Sequence, residues 1–231
     1  MARGKQLQEL VAQLRAETGK SQNVAVGTSE LDNLKEQIRS RQEMLYDEYD
    51  WPFLNIQRSV TLEAGSRFYD FPSDLNYDRL NCVKFKYNGQ YTDVDRGITF
   101  DDYSIYDSSE DERSSPVLKW DVRNTGSGEQ LEVWPIPSEA GSLHFFGTKT
   151  LSSLVQNSDR ADLDDRLIVL FVAAEHLARQ KSPDAKNKLE MANKRLIKLK
   201  GNSQSSNKMV QVGLGKRQRS TTSGKTVIVV R

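Results

Sequence analysis

At Asp50-Trp51-Pro52-Phe53-Leu54 the apolar residues of the chain change period. Upstream they recur three and four residues apart, the spacing of one helix face; downstream they alternate, the spacing of a half-buried strand. Pro52 disfavours the α region for Trp51, so the upstream helix must end by about Asp50. A chain with this break has to join a helical layer to a β layer. Trp51, Pro52 and Phe53 sit at the helix–sheet hinge. Core packing is one reading of the two aromatics. An anchor at a subunit interface is the other, since tryptophan is enriched at the centres of interfaces.

Before the hinge, Leu7, Leu10, Val11 and Leu14 form one stripe, which predicts a helix over residues 5–18 with Gly19 as its stop. A second helix is expected over residues 29–49. Leu31, Leu34, Ile38, Leu45 and Tyr49 lie on its apolar side, while Arg39, Arg41, Glu43 and Glu48 face solvent. From Ile56 to Leu151 short alternating runs are separated by turn residues. Val60 and Leu62 begin one, Phe68 to Phe71 continue it, and Cys82 to Tyr87 lead into Asn88-Gly89, the strongest short hairpin signal because both residues tolerate positive φ. Further on, Val117, Lys119, Asp121 and Arg123 are expected to face away from Leu118, Trp120 and Val122. Two more runs, Leu131 to Ile136 and Leu143 to Thr150, complete an antiparallel sandwich or small barrel.

Helical spacing returns over residues 161–200. Asp162, Asp164 and Asp165 crowd the first turn, where the helix dipole favours anions. Leu163, Leu167, Leu170, Phe171, Ala174, Leu177 and Ala178 form a wide apolar face. Ser182-Pro183-Asp184 restarts a helix, and Gly201 is its expected end. The fold class expected is therefore α+β: helices from both ends of the chain form a bundle around an inserted antiparallel β-sandwich or barrel. The divisions are residues 1–54 and 153–200 for the bundle, 55–152 for the β-sandwich domain, and 201–231 for an extended C-terminal arm.

Two charged segments stand apart. Residues 101–112 carry Asp101, Asp102, Asp107, Glu110, Asp111 and Glu112 and no Lys or Arg. They read as a solvated loop, as a cation site lacking the ligand spacing of a calcium loop, or as a dock for a basic segment of a neighbouring subunit. The arm carries Lys216, Arg217, Arg219 and Lys225 and no acid, and it ends in Thr226-Val227-Ile228-Val229-Val230-Arg231. A polar, basic tether tipped by Val227, Ile228, Val229 and Val230 suits strand addition to a partner's sheet or pairing with its own domain's edge.

Chemistry-bearing motifs are absent. His144 and His176 fall in different elements, Cys82 is the single cysteine, and no metal spacing, nucleophile elbow or phosphate-binding glycine loop occurs. No enzyme activity, cofactor or metal is expected. A net charge of +1 gives no global case for nucleic acid, and no apolar run approaches the ~20 residues of a membrane span. A lone cysteine fits synthesis in a reducing cytoplasm, and residues 1–30 show no signal-peptide pattern.

The order of motifs carries one further reading. Asp50-Trp51-Pro52-Phe53-Leu54 is followed by Leu62-Glu63-Ala64-Gly65-Ser66-Arg67-Phe68-Tyr69-Asp70-Phe71-Pro72-Ser73-Asp74, then by Pro116-Val117-Leu118-Lys119-Trp120 and Leu131-Glu132-Val133-Trp134-Pro135-Ile136-Pro137, and last by an Asp-rich helix start with Ala173-Ala174. Over roughly residues 5–200 this series resembles the head-to-tail adaptor (connector) proteins of tailed, especially short-tailed, bacteriophages. The resemblance implies a structural virion protein at the head–tail interface, made in the host cytoplasm. It implies a closed ring of about twelve copies, bound to the portal protein on one side and to a tail or nozzle protein on the other. Genomic DNA would pass through the channel without sequence readout, and no membrane is involved. The alternatives are a DNA-contacting accessory virion protein, or a carbohydrate-binding tail-associated module with Trp120 and Trp134 as exposed sugar platforms.

Overall fold

A computed structural model describes residues 3–20, 28–126 and 128–203. The arm residues Lys216, Arg217, Arg219, Lys225, Val227, Ile228, Val229 and Val230 lie outside the described residues. The described part is α+β. Helices α1 (Leu7–Glu17) and α2 (Thr28–Glu48) precede a 3-10 turn at Pro52–Leu54. Strands β1 (Asn55–Leu62), β2 (Phe68–Tyr69), β3 (Leu75–Tyr87), β4 (Gln90–Asp93) and β5 (Asp95–Arg96) follow, then the one-turn helix α3 (Phe100–Tyr103). Strands β6 (Lys119–Asn124), β7 (Glu129–Trp134) and β8 (Gly141–Lys149) complete the β body, and helices α4 (Asp165–Arg179) and α5 (Asp184–Ser203) close the chain.

The β body is two four-stranded sheets, ordered β1-β8-β3-β4 and β2-β7-β6-β5. Every pairing is antiparallel except β5 with β6. Apolar residues from both sheets, among them Leu62, Phe85, Trp120, Val133 and Phe145, make one buried core between them. The β3–β4 hairpin turns on Asn88 (φ 48°) and Gly89 (φ 78°), the backbone that the Asn-Gly pair anticipates. Irregularities interrupt the pairing of β3 with β8 between Leu75 and Cys82. There β3 comes so close that a Cβ on Gly147 would lie 2.8 Å from the Arg79 carbonyl oxygen.

The helices share a second core. Leu7, Leu10, Val11 and Leu14 are all buried, as are Leu34, Ile38 and Leu45 of α2. Helix α4 is the centre of this layer: Leu167, Ile168, Val169, Leu170, Val172 and Ala173 are buried on every side, because α1, α2 and α5 all pack on it. Asp164 caps α4 by accepting from the Leu167 amide at 2.9 Å and holds Arg195 of α5 through two hydrogen bonds of 2.6 and 2.7 Å. Helix α1 ends in a left-handed Gly19 (φ 70°), with the amides of Gly19 and Lys20 returning to the carbonyls of Ala16 and Arg15.

Several boundaries differ from those expected. Helix α5 runs through Gly201 to Ser203. The Phe68 strand stops at Tyr69. Val117 precedes β6 and is buried with Trp120, while Leu118 is exposed, because the alternation begins only at Lys119. Asp162 lies before α4 and binds Lys149 and the Ser152 amide instead of capping the helix. The Arg41 side chain, expected in solvent, is only 16% exposed, with its guanidinium 4.8 Å from the Phe171 ring centroid and paired with Glu175.

Glu17 at the end of α1 ties three helices together through Arg166 of α4 and Lys188 of α5. Burial pushes its carboxyl up, but the hydrogen bonds and charges of Lys188 and Arg166 outweigh burial and hold it below the usual carboxylate value. A carboxyl depressed in the folded state stabilises above its unfolded pKa and loses that contribution as pH falls through the folded one. Glu17→Gln is therefore expected to cost about 1–2 kcal/mol in urea unfolding at pH 7. The gap from the parent protein should close as the pH drops below about 4.

Candidate functional site

For a chain of this kind the site is a set of surfaces and the joint that fixes them. The joint begins at the hinge. Trp51 is buried, its indole N–H donates to the Leu45 carbonyl at 2.8 Å, and its ring meets Tyr49 edge-on at 5.0 Å. Pro52 opens the 3-10 turn. Phe53 is half-buried beneath the guanidinium of Arg3, 3.7 Å from its ring centroid.

A polar seam completes the joint, and no periodicity announces it. The Tyr46 hydroxyl of α2 donates to the Lys149 carbonyl of β8 at 2.9 Å and accepts from the Asn76 amide of β3 at 3.1 Å. Arg79 of β3 lies over the Tyr46 ring and donates to the Tyr46 carbonyl at 2.6 Å. Lys149 reaches back to Asp162 at 2.6 Å, and buried Gln42 bonds the Asp162 amide and the Ser152 carbonyl.

The acidic segment divides into inward and outward charges. Asp102 is buried at the third position of α3, where its carboxylate takes the Thr99 amide and hydroxyl in a capping box. The Lys119 ammonium, 2.8 Å away, and then Thr99 hold it below the usual range. Asp111 is paired with Arg113, and Asp107 and Glu112 accept amides within their own turn. Asp101, Glu110, Asp111 and Glu112 are exposed. Among the described residues no group of three or more His, Cys, Asp or Glu is placed to hold a metal ion.

Beside α3 lies a feature that sequence reasoning missed. The Glu132 carboxylate of β7 is almost fully buried, accepting from Arg67 at 2.8 Å, Arg123 at 2.9 Å and the Tyr103 hydroxyl at 2.7 Å. Burial and the neighbouring Glu132 push the Tyr103 hydroxyl's pKa up, so it stays a donor. These residues floor an open groove of about 530 Å³ rimmed by Phe68 and by Phe100, which is 86% exposed. Only the position of Glu132 within the Leu131-Glu132-Val133-Trp134 strand hinted at it, as an acid amid an apolar run.

Trp120 and Trp134 are 1% and 3% exposed. Neither can serve as a sugar platform, which removes the observation on which a carbohydrate-binding module rested.

The SU10 adaptor protein family matches residues 5–214. The chain belongs to this family. A search of curated proteins found no match. The SU10 adaptor family is one of structural phage adaptor proteins, which implies a component of the virion. Among the described residues of this SU10 adaptor, no helix is long and apolar enough to cross a membrane. The family match spans both the helical layer and the β body.

Removing the Glu132 carboxylate leaves Arg67, Arg123 and the Tyr103 hydroxyl facing one another without their acceptor. Glu132→Ala is expected to lower stability by about 3 kcal/mol in denaturant unfolding and to loosen α3, read as faster amide exchange over residues 100–103.

Proposed function

We propose that the chain assembles into a closed ring of about twelve copies between the portal and the tail, joining the tail to the capsid and continuing the DNA channel. Membership of the SU10 adaptor family over residues 5–214 is the observation that carries this reading. The fold suits it. A helical layer and a β body joined by a polar seam make a subunit of fixed internal geometry, and identical subunits joined head to tail form a ring when the rotation closes. The helices would line the ring. DNA would pass as a charged rod, contacted through phosphates if at all.

The arm acts as the latch. Residues 204–231, with Lys216, Arg217, Arg219 and Lys225 before the Val227-Ile228-Val229-Val230 tip, grip the portal or the next adaptor. One weak arm contact is multiplied by the many copies of a ring, through effective concentration. Deleting residues 204–231 is expected to leave thermal unfolding of the body unchanged and to abolish attachment to DNA-filled heads. Truncated protein that still joins and seals heads would remove the latch.

The acidic segment is the counterpart of the basic arm in a neighbouring subunit. Of its exposed acids, Asp101 and Glu110 are left to a partner, since Asp111 is committed to Arg113 and Glu112 to the Asp107 amide, while Asp102 is buried against Lys119. Replacing Asp101 and Glu110 with lysine should weaken assembly most at low ionic strength, with the difference fading as salt rises. Assembly equal to the parent's at low salt, measured by sedimentation, would exclude the pairing.

A further inference from the structure

Strand β1 is the longest edge strand among the described residues. It pairs with β8 on one side in an unbroken register, from Asn55 opposite Thr148 to Leu62 opposite Gly141, and among the described residues no strand pairs with its other side. The remaining edges are short: β4 has four residues, and β2 and β5 have two each. Proteins commonly blunt such an edge with prolines, bulges or several charges. Strand β1 has no proline or bulge. Its one charge, Arg58, is drawn onto Asp74 and the Gln57 carbonyl. Gln57, Ser59 and Thr61 present an exposed uncharged face, and Ile56 and Val60 flank the sandwich core only half-covered.

The chain itself contains a segment made for such an edge. Residues 226–230 are one threonine and four aliphatic β-branched residues, uncharged, with Val227 and Val229 on one face of a strand and Ile228 and Val230 on the other. We propose that the outer edge of β1 receives residues 226–230 of a second copy as an added strand. The added main chain would take up the unpaired β1 groups, and one aliphatic face would cover Ile56 and Val60. This rests on the latch reading above and names the partner as the neighbouring adaptor.

Reach allows a second copy. Helix α5 ends at the hinge, where Lys200 pairs with Glu48 at 2.9 Å and lies 5.1 Å from the Tyr49 ring centroid. The described chain therefore ends close to the end of α2, a few residues before its own β1 begins. Residues 204–225 separate that point from the aliphatic tip and span up to about 75 Å when extended. The chain's own edge needs far less.

Cysteine pairing between full-length chains tests the proposal. In a Cys82→Ser background, chains carrying Ser59→Cys are mixed with chains carrying Val227→Cys, Ile228→Cys, Val229→Cys or Val230→Cys and mildly oxidised. An added strand brings only alternate arm residues to the face of Ser59. Disulfide-linked dimers should then form about tenfold more at alternate positions than at those between, because the bond requires close Cβ atoms. Thr92→Cys on β4 serves as the control edge and should give no such alternation. Equal linking at all four arm positions, equal linking to β4, no linking, or linking only within a doubly substituted chain would each overturn the proposal. If linking fails while truncation still abolishes head attachment, the arm is a latch whose seat lies elsewhere.

Discussion

One phenol hydroxyl sits where the two halves of the molecule meet. Tyr46 projects from the helical layer, gives its proton to a β8 carbonyl and takes one from a β3 amide, with Arg79 lying across its ring. Each bond contributes only about 1 kcal/mol, but hydrogen bonds have direction where apolar contacts do not. Two hydrophobic cores pressed together can slide; two cores joined through Tyr46, Gln42, Lys149 and Asp162 cannot slide without leaving buried polar groups unmade. In the ring proposed above that restriction would matter, since small errors in the angle between the layers would add up from subunit to subunit.

What the sequence disclosed follows from what periodicity encodes. The stripe of Leu7, Leu10, Val11 and Leu14, the apolar side of α2 and the Asn88-Gly89 turn are local patterns, and each element formed where its pattern lies. The aliphatic excess of α4 was visible, although residues 167–174 proved buried on all sides rather than on one wide face, because three neighbours pack on them, and Ala178, expected on that face, is exposed. The seam was not legible. Tyr46 with Lys149, and Lys149 with Asp162, are partners brought together by tertiary structure, and neither residue type nor spacing marks them. The triad of Arg67, Glu132 and Arg123 was hidden for the same reason, with partners far apart in the chain. Gly201 failed as a helix stop because glycine ends a helix only when the chain turns there, and α5 simply continues.

Charge in this protein is divided by destination. Glu132, Asp102, Asp164 and Glu17 point inward and are spent on holding elements together. Asp101 and Glu110 point outward and remain available to other chains. Composition alone could not make that division, since all six are ordinary acids in a nearly neutral protein. It also explains why the acidic segment keeps a defined form: buried Asp102 caps α3 and the exposed Glu112 closes the following turn, which presents Asp101 and Glu110 in fixed positions.

Asn55 and Thr148 face each other across the β1–β8 ladder, so the polypeptide crosses into the β body and returns from it side by side. The two chain crossings between the helical layer and the β body are thus adjacent, and the Tyr46 seam lies beside them. Loops and exposed strands remote from that crossing can change length without disturbing the helical core, as long as Asn76, Arg79 and Lys149 still meet Tyr46.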